Sequence, residues 1–151
     1  MNQLKQKLQS DLNDAIKSRN TVVAETVRML LAAITNEEVA GKEKKELSDA
    51  EVITVLTREA KKRREAAEAF EQGGRTDKAA AERAEGEVIA TYLPEQLSES
   101  ELNQLISETI AAVGASGPGD MGKVMGALKA KVAGKADGAT VSNLVKAALA
   151  K

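Results

Sequence analysis

The chain has 151 residues, enough for one modest domain or two small ones in contact, and its 22 basic and 23 acidic side chains leave a formal net charge of -1, which argues against generalised attraction to nucleic acid or anionic lipid. It lacks cysteine, which excludes disulfides and thiolate zinc sites, and it lacks histidine, which removes the commonest general base and metal ligand. The aromatics are Phe70 and Tyr92 and the prolines Pro94 and Pro118; with abundant Ala, Leu, Glu and Lys, this is the composition of an all-α protein with an aliphatic core.

Leu4, Leu8, Leu12, Ala15 and Ile16 recur at helical spacing and predict a first helix ending near Ser18-Arg19-Asn20. Asn20 or Thr21 can cap the second, whose stripe is Val23, Val27, Leu30, Leu31 and Ile34, fading at Val39-Ala40-Gly41. So short a turn makes the pair an antiparallel hairpin. The segment from Gly41 to Leu47 is dense in charge, has no apolar period and reads as an exposed loop. Ser48-Asp49-Ala50-Glu51 is a capping box opening a long third helix with Val52, Ile53, Leu56, Ala60, Ala67 and Phe70 inward and Gly73-Gly74 as its stop. Thr76 is expected to cap the fourth, in which Ala80, Ala84, Val88, Ile89 and Tyr92 face inward.

Proline disfavours helical geometry in the residue before it, so Leu93-Pro94 ends this region, and Ser98-Glu99-Ser100-Glu101 supplies another capping box at once. We expect a four-helix N-terminal unit over residues 1–92 and a three-helix C-terminal bundle over 93–151, with Tyr92, Leu93 and Leu97 packing at a fixed joint. In the second unit, Leu102, Leu105, Ile106, Ile110 and Val113 mark a fifth helix ending at Gly114. Residues 115–119 form a loop. Asp120 caps a sixth helix with Met121, Val124, Met125, Leu128 and Val132, and Asp137 caps a seventh with Val141, Leu144, Val145, Ala148 and Leu149.

Gly117 to Lys123 satisfies G-x-x-x-x-G-K, but Val124 stands where a magnesium-binding hydroxyl belongs, a helix precedes it, and Asp120 would place a negative charge in the anion cradle. It reads as a glycine-rich loop leading into a helix. Lys61-Lys62-Arg63-Arg64 fans around a helix with Glu59, Glu65 and Glu68 at pairing distance, and Glu82, Glu85 and Glu87 read as a wet helix face. Charge is polarised further on: residues 93–119 carry acids only, whereas 120–151 carry six lysines against Asp120 and Asp137. Lys123, Lys129, Lys131 and Lys135, around a helix bearing Gly122 and Gly126, could meet RNA phosphates without reading sequence. Without an aromatic in that unit, base stacking is excluded. No set of polar residues suggests catalysis, and no metal or cofactor is expected. Without a leader-like apolar segment or a run of the roughly 20 apolar residues that span a bilayer, a cytoplasmic protein with no membrane partner is expected.

The sequence Tyr92-Leu93-Pro94-Glu95-Gln96-Leu97-Ser98 resembles the GatB/YqeY family, specifically its free-standing YqeY-like members. Gly74-Arg75-x-Asp77, Glu82-x-x-Glu85, residues 120–125 and Gly134-Lys135-Ala136-Asp137-Gly138 agree, as do Arg28-Met29-Leu30 and Asn36-Glu37-Glu38, while Lys78 departs where an apolar residue is expected. The resemblance covers essentially the whole chain. It implies a C-terminal unit similar to the tail of the B subunit of glutamine-dependent aminoacyl-tRNA amidotransferase, a part associated with tRNA recognition. It also implies the label of carbon-nitrogen ligase with glutamine as amido-N-donor, inherited from the shared domain rather than from catalytic groups present here. Carried onto this sequence, the tRNA-facing residues are Gly122, Lys123, Gly126, Lys129, Lys131, Lys135, Asp137 and Gly138. The alternative is a protein-interaction module that docks an aminoacyl-tRNA synthetase or amidotransferase without touching RNA.

Overall fold

The computed structural model describes residues 2–150. Seven α-helices and one 3-10 turn account for the regular structure among them: α1 (Gln3–Lys17), α2 (Thr21–Glu38), α3 (Asp49–Gln72), α4 (Thr76–Ala90), α5 (Glu99–Val113), the turn Pro118–Asp120, α6 (Met121–Val132) and α7 (Gly138–Leu149). The chain divides into two compact units between Pro94 and Glu95.

In the first unit, α1 pairs with α2, α3 pairs with α4, and α2 packs on both members of the second pair. Leu8, Val27, Leu30, Ile34, Val52, Leu56 and Ile89 form the aliphatic centre, with Tyr92 and Leu93 against it. The α1 stripe stops one residue short of its expected end, because Ala15 is buried while Ile16 is exposed. There α1 closes in a Schellman turn: Asn20 N–H donates to the Ala15 carbonyl at 2.9 Å and Arg19 N–H to that of Ile16 at 3.2 Å, with Arg19 in the left-handed region at φ 58°. Asn20 then caps α2 by accepting from Val23 N–H at 3.3 Å.

The segment from Gly41 to Leu47 corrects the expectation of a wholly exposed loop, because its last residue, Leu47, is 4% exposed and joins the core. Both backbone groups of Leu47 are tied. Asn2 Nδ2 donates to the Leu47 carbonyl at 2.5 Å, and Leu47 N–H donates to Glu38 Oε2 at 3.3 Å. Glu38, 3% exposed, also accepts from Lys5 Nζ at 2.8 Å. That ammonium, with the Leu47 amide, holds the carboxyl below the ordinary glutamate range although burial pushes the other way.

In α4 the expected Val88 and Ile89, with Tyr92 just beyond, face the core, and the difference from expectation lies in the first half of the helix. Its inward stripe is Ala79, Glu82, Gly86 and Ile89, with Ala79 fully buried and Ala80 exposed. Glu82 can sit on this stripe because Arg63 of α3 reaches it at 3.3 Å and Glu85 at 3.4 Å. A Cβ on Gly86 would stand 3.9 Å from the Arg63 Cβ, so the two helices meet closely there. Thr76 is the first residue of α4 and not its cap; Arg75 holds the cap position without a side-chain bond. Lys78 lies 5.6 Å from the Phe70 ring centre, so the apolar contact is replaced by a cation against an aromatic face.

In the second unit α5, α6 and α7 pack on one another around Leu102, Ile106, Val124, Leu128, Val132, Val141, Val145 and Leu149. Leu97 packs against this cluster. Both predicted capping boxes are closed: Ser48 with Glu51, and Ser98 with Glu101, exchange side-chain to backbone bonds in both directions.

Candidate RNA-facing surface

The turn Pro118–Asp120 leads into α6. Asp120 occupies the cap position but makes no cap bond; its Oδ2 accepts instead from Ser116 N–H at 2.9 Å. That amide, with a contribution from Lys123, draws the carboxyl below its ordinary range. An ionised carboxylate folded into the glycine-rich turn opposes nucleotide phosphate there.

Val124, Leu128 and Val132 are buried and fix which side of α6 faces the core. At about 100° per residue, the sector pointing away holds Lys129, Gly122, Gly126, Ala130 and Lys123 in that angular order. All five are exposed. The result is a low strip of glycine and alanine with a lysine along each border. Lys131 projects about 200° from Lys129, on the other flank of the helix. The four lysines therefore do not form one patch. Lys129, Lys131 and Lys135 have no ion pair among the described residues.

The two α6 glycines have no internal explanation. A Cβ built on Gly122 or Gly126 meets nothing within 4 Å, and neither residue has positive φ. Alanine would favour the helix by up to about 1 kcal/mol at each. Gly122→Ala and Gly126→Ala are therefore expected to raise the melting temperature, as thermal unfolding followed by circular dichroism will show.

Lys135, Asp137 and Gly138 lie at the corner between α6 and α7. Gly134 turns the chain at φ 73°. Asp137 is 9% exposed, and its carboxylate accepts from Thr140 N–H at 3.0 Å and Thr140 Oγ at 3.1 Å, the helix-cap role expected for it. Sequence reasoning missed what braces this corner. Gln96 Nε2 donates to the Gly134 carbonyl at 2.7 Å, and Leu97 N–H donates to that of Lys135 at 2.9 Å. Only the co-occurrence of the two motifs in the chain hinted at their contact.

The basic run on α3 is largely neutralised. Lys61 faces Glu65 at 3.9 Å, Lys62 faces Glu59 at 3.1 Å, and Arg63 is held by the α4 carboxylates. The acids at 82 and 85 are thus part of a helix interface and not simply a wet face.

These features define a class: an all-helical protein of two compact units, the second carrying an exposed lysine-bordered strip. The sequence pattern of YqeY-like proteins matches residues 5–149, and the chain belongs to that family. It is 35% identical over 92 residues to an uncharacterized protein of Schizosaccharomyces pombe, covering 60% of this chain and 72% of that protein. It is also 28% identical over 133 residues to "Altered inheritance of mitochondria protein 41, mitochondrial" of Pyrenophora tritici-repentis, covering 86% and 71% respectively. Among the described residues, no helix is long and apolar enough to cross a membrane.

Proposed function

We propose that the protein is an accessory tRNA-binding module related to glutamine-dependent aminoacyl-tRNA amidotransferase, acting in the cytoplasm without catalysis of its own. The observation that carries this reading is the outer strip of α6. Small residues let the helix backbone come close to a sugar-phosphate ridge, and Lys123 and Lys129 stand where they can reach phosphates on either side of it. Lys135 adds a cation at the corner. Both aromatics belong to the first unit, so contact through the second depends on charge and shape and not on base stacking. The likeness to the amidotransferase tail that the sequence resemblance implies would favour tRNA among structured RNAs.

The test is a titration of the full chain with unfractionated tRNA across a salt series. Lys123→Gln, Lys129→Gln and Lys135→Gln should each lower the salt slope by about 0.7–0.9. Lys131→Gln, the same charge change on the other flank, should lower it least. Gly126→Leu should fold yet bind weakly, because a side chain would rise from the strip. Equal effects at Lys129 and Lys131, or binding indifferent to all of these changes, would refute the reading. In the latter case, ribonuclease-resistant association with an aminoacyl-tRNA synthetase or amidotransferase would favour a protein-docking role.

A further inference from the structure

We infer that Glu95–Leu97 is a strap that sets the conformation of the α6–α7 corner, and that Gln96 is a positioning residue for Lys135. The functional half of this inference rests on the tRNA reading above.

The corner is fixed from both sides. Its amides turn inward: Lys135 N–H and Ala136 N–H both donate to the Val132 carbonyl, at 2.8 and 3.2 Å. Its carbonyls face the strap. Gly134 receives the Gln96 side chain and Lys135 receives the Leu97 amide, so two consecutive carbonyls meet two consecutive residues of the strap.

The strap is itself anchored. Leu97 packs against the core of the second unit, and Ser98 immediately enters the capping box of α5. Lys123 and Lys129 project from regular helix, whose hydrogen bonds set their backbone. Lys135 lies outside helix, and its backbone depends on these bonds. A lysine launched from a loose loop loses more freedom on meeting a phosphate than one launched from a fixed corner. Gln96, whose side chain is given to the Gly134 carbonyl and not to the RNA, thereby raises the contribution of Lys135.

The experiment pairs amide hydrogen exchange with a double-mutant cycle on the full chain, using unfractionated tRNA as probe. In Gln96→Ala, exchange at Leu97 and Ala136 should quicken about fivefold, with helical content unchanged. Gln96→Ala and Lys135→Gln should each weaken tRNA binding, and the double variant should be little weaker than Lys135→Gln alone. Unchanged exchange in Gln96→Ala would overturn the strap. Strictly additive losses in affinity would overturn the positioning role. Should Lys129→Gln, Lys135→Gln and Gln96→Ala all leave tRNA binding untouched, the tRNA reading and the positioning role fail together, while exchange still decides the strap.

Discussion

Glu38→Ala is expected to destabilise the protein by about 3 kcal/mol, because it leaves a buried donor without its acceptor and strips a partly buried ammonium of its partner. The Leu47 amide is the donor and Lys5 the ammonium. Lys5 is 22% exposed and can recover some hydration, which places the cost toward the lower end for a broken buried pair. Urea unfolding of the variant should show a lower midpoint with an unchanged slope. The same group predicts a pH dependence. Its folded pKa lies below its unfolded value, so the stabilisation is complete above about pH 4.3, the ordinary glutamate value, and is lost as pH falls through the depressed folded value. Glu38→Gln should flatten the acid limb of the stability profile in that window. An unchanged acid limb would show that the Lys5–Glu38 pair does not govern it.

Leu47→Ala should cost about 2–5 kcal/mol, the range for removing most of a buried leucine from a packed site. Leu47 comes from a segment whose preceding residues 40–46 are exposed, yet its side chain sits among Val52, Leu56 and their neighbours. A cost below about 0.5 kcal/mol, the usual range for surface substitutions, would show that the segment is not anchored there. Glu38 and Leu47 are in contact through a hydrogen bond, so the two losses should not add.

These residues also mark where sequence reasoning reached its limit. The capping boxes at Ser48 and Ser98 were legible because all their partners lie within three residues. The anchorage of Leu47 was not, since it depends on Asn2, 45 residues away, and follows a charged stretch with no apolar period. The first half of the α4 stripe was not legible for a related reason: three consecutive alanines suit either face, and a glutamate on the inward stripe makes sense only once Arg63 is known to lie opposite. Asp120 was expected to cap α6 because aspartate favours that position. The preceding turn offered its carboxylate the Ser116 amide instead.

For the candidate surface, residue types were readable and their convergence was not. Lys123, Lys129, Lys131 and Lys135 look equivalent as a list of cations close in sequence. Burial of Val124, Leu128 and Val132 fixes the rotation of α6 and separates Lys131 from the strip, while bringing exposed Ala130 into it.

By itself the sequence determined the all-helical class, the helix boundaries marked by caps and glycines, and the proline between the two regions, because each follows from backbone chemistry over a few residues. The inward stripes of most helices were also legible from apolar spacing. Tertiary structure alone decided the inward face of the first half of α4, which charges are paired across helices, and how Gln96 and Leu97 meet the α6–α7 corner. Those outcomes depend on groups far apart in the chain, and burial has no local signature when the covering partner is distant.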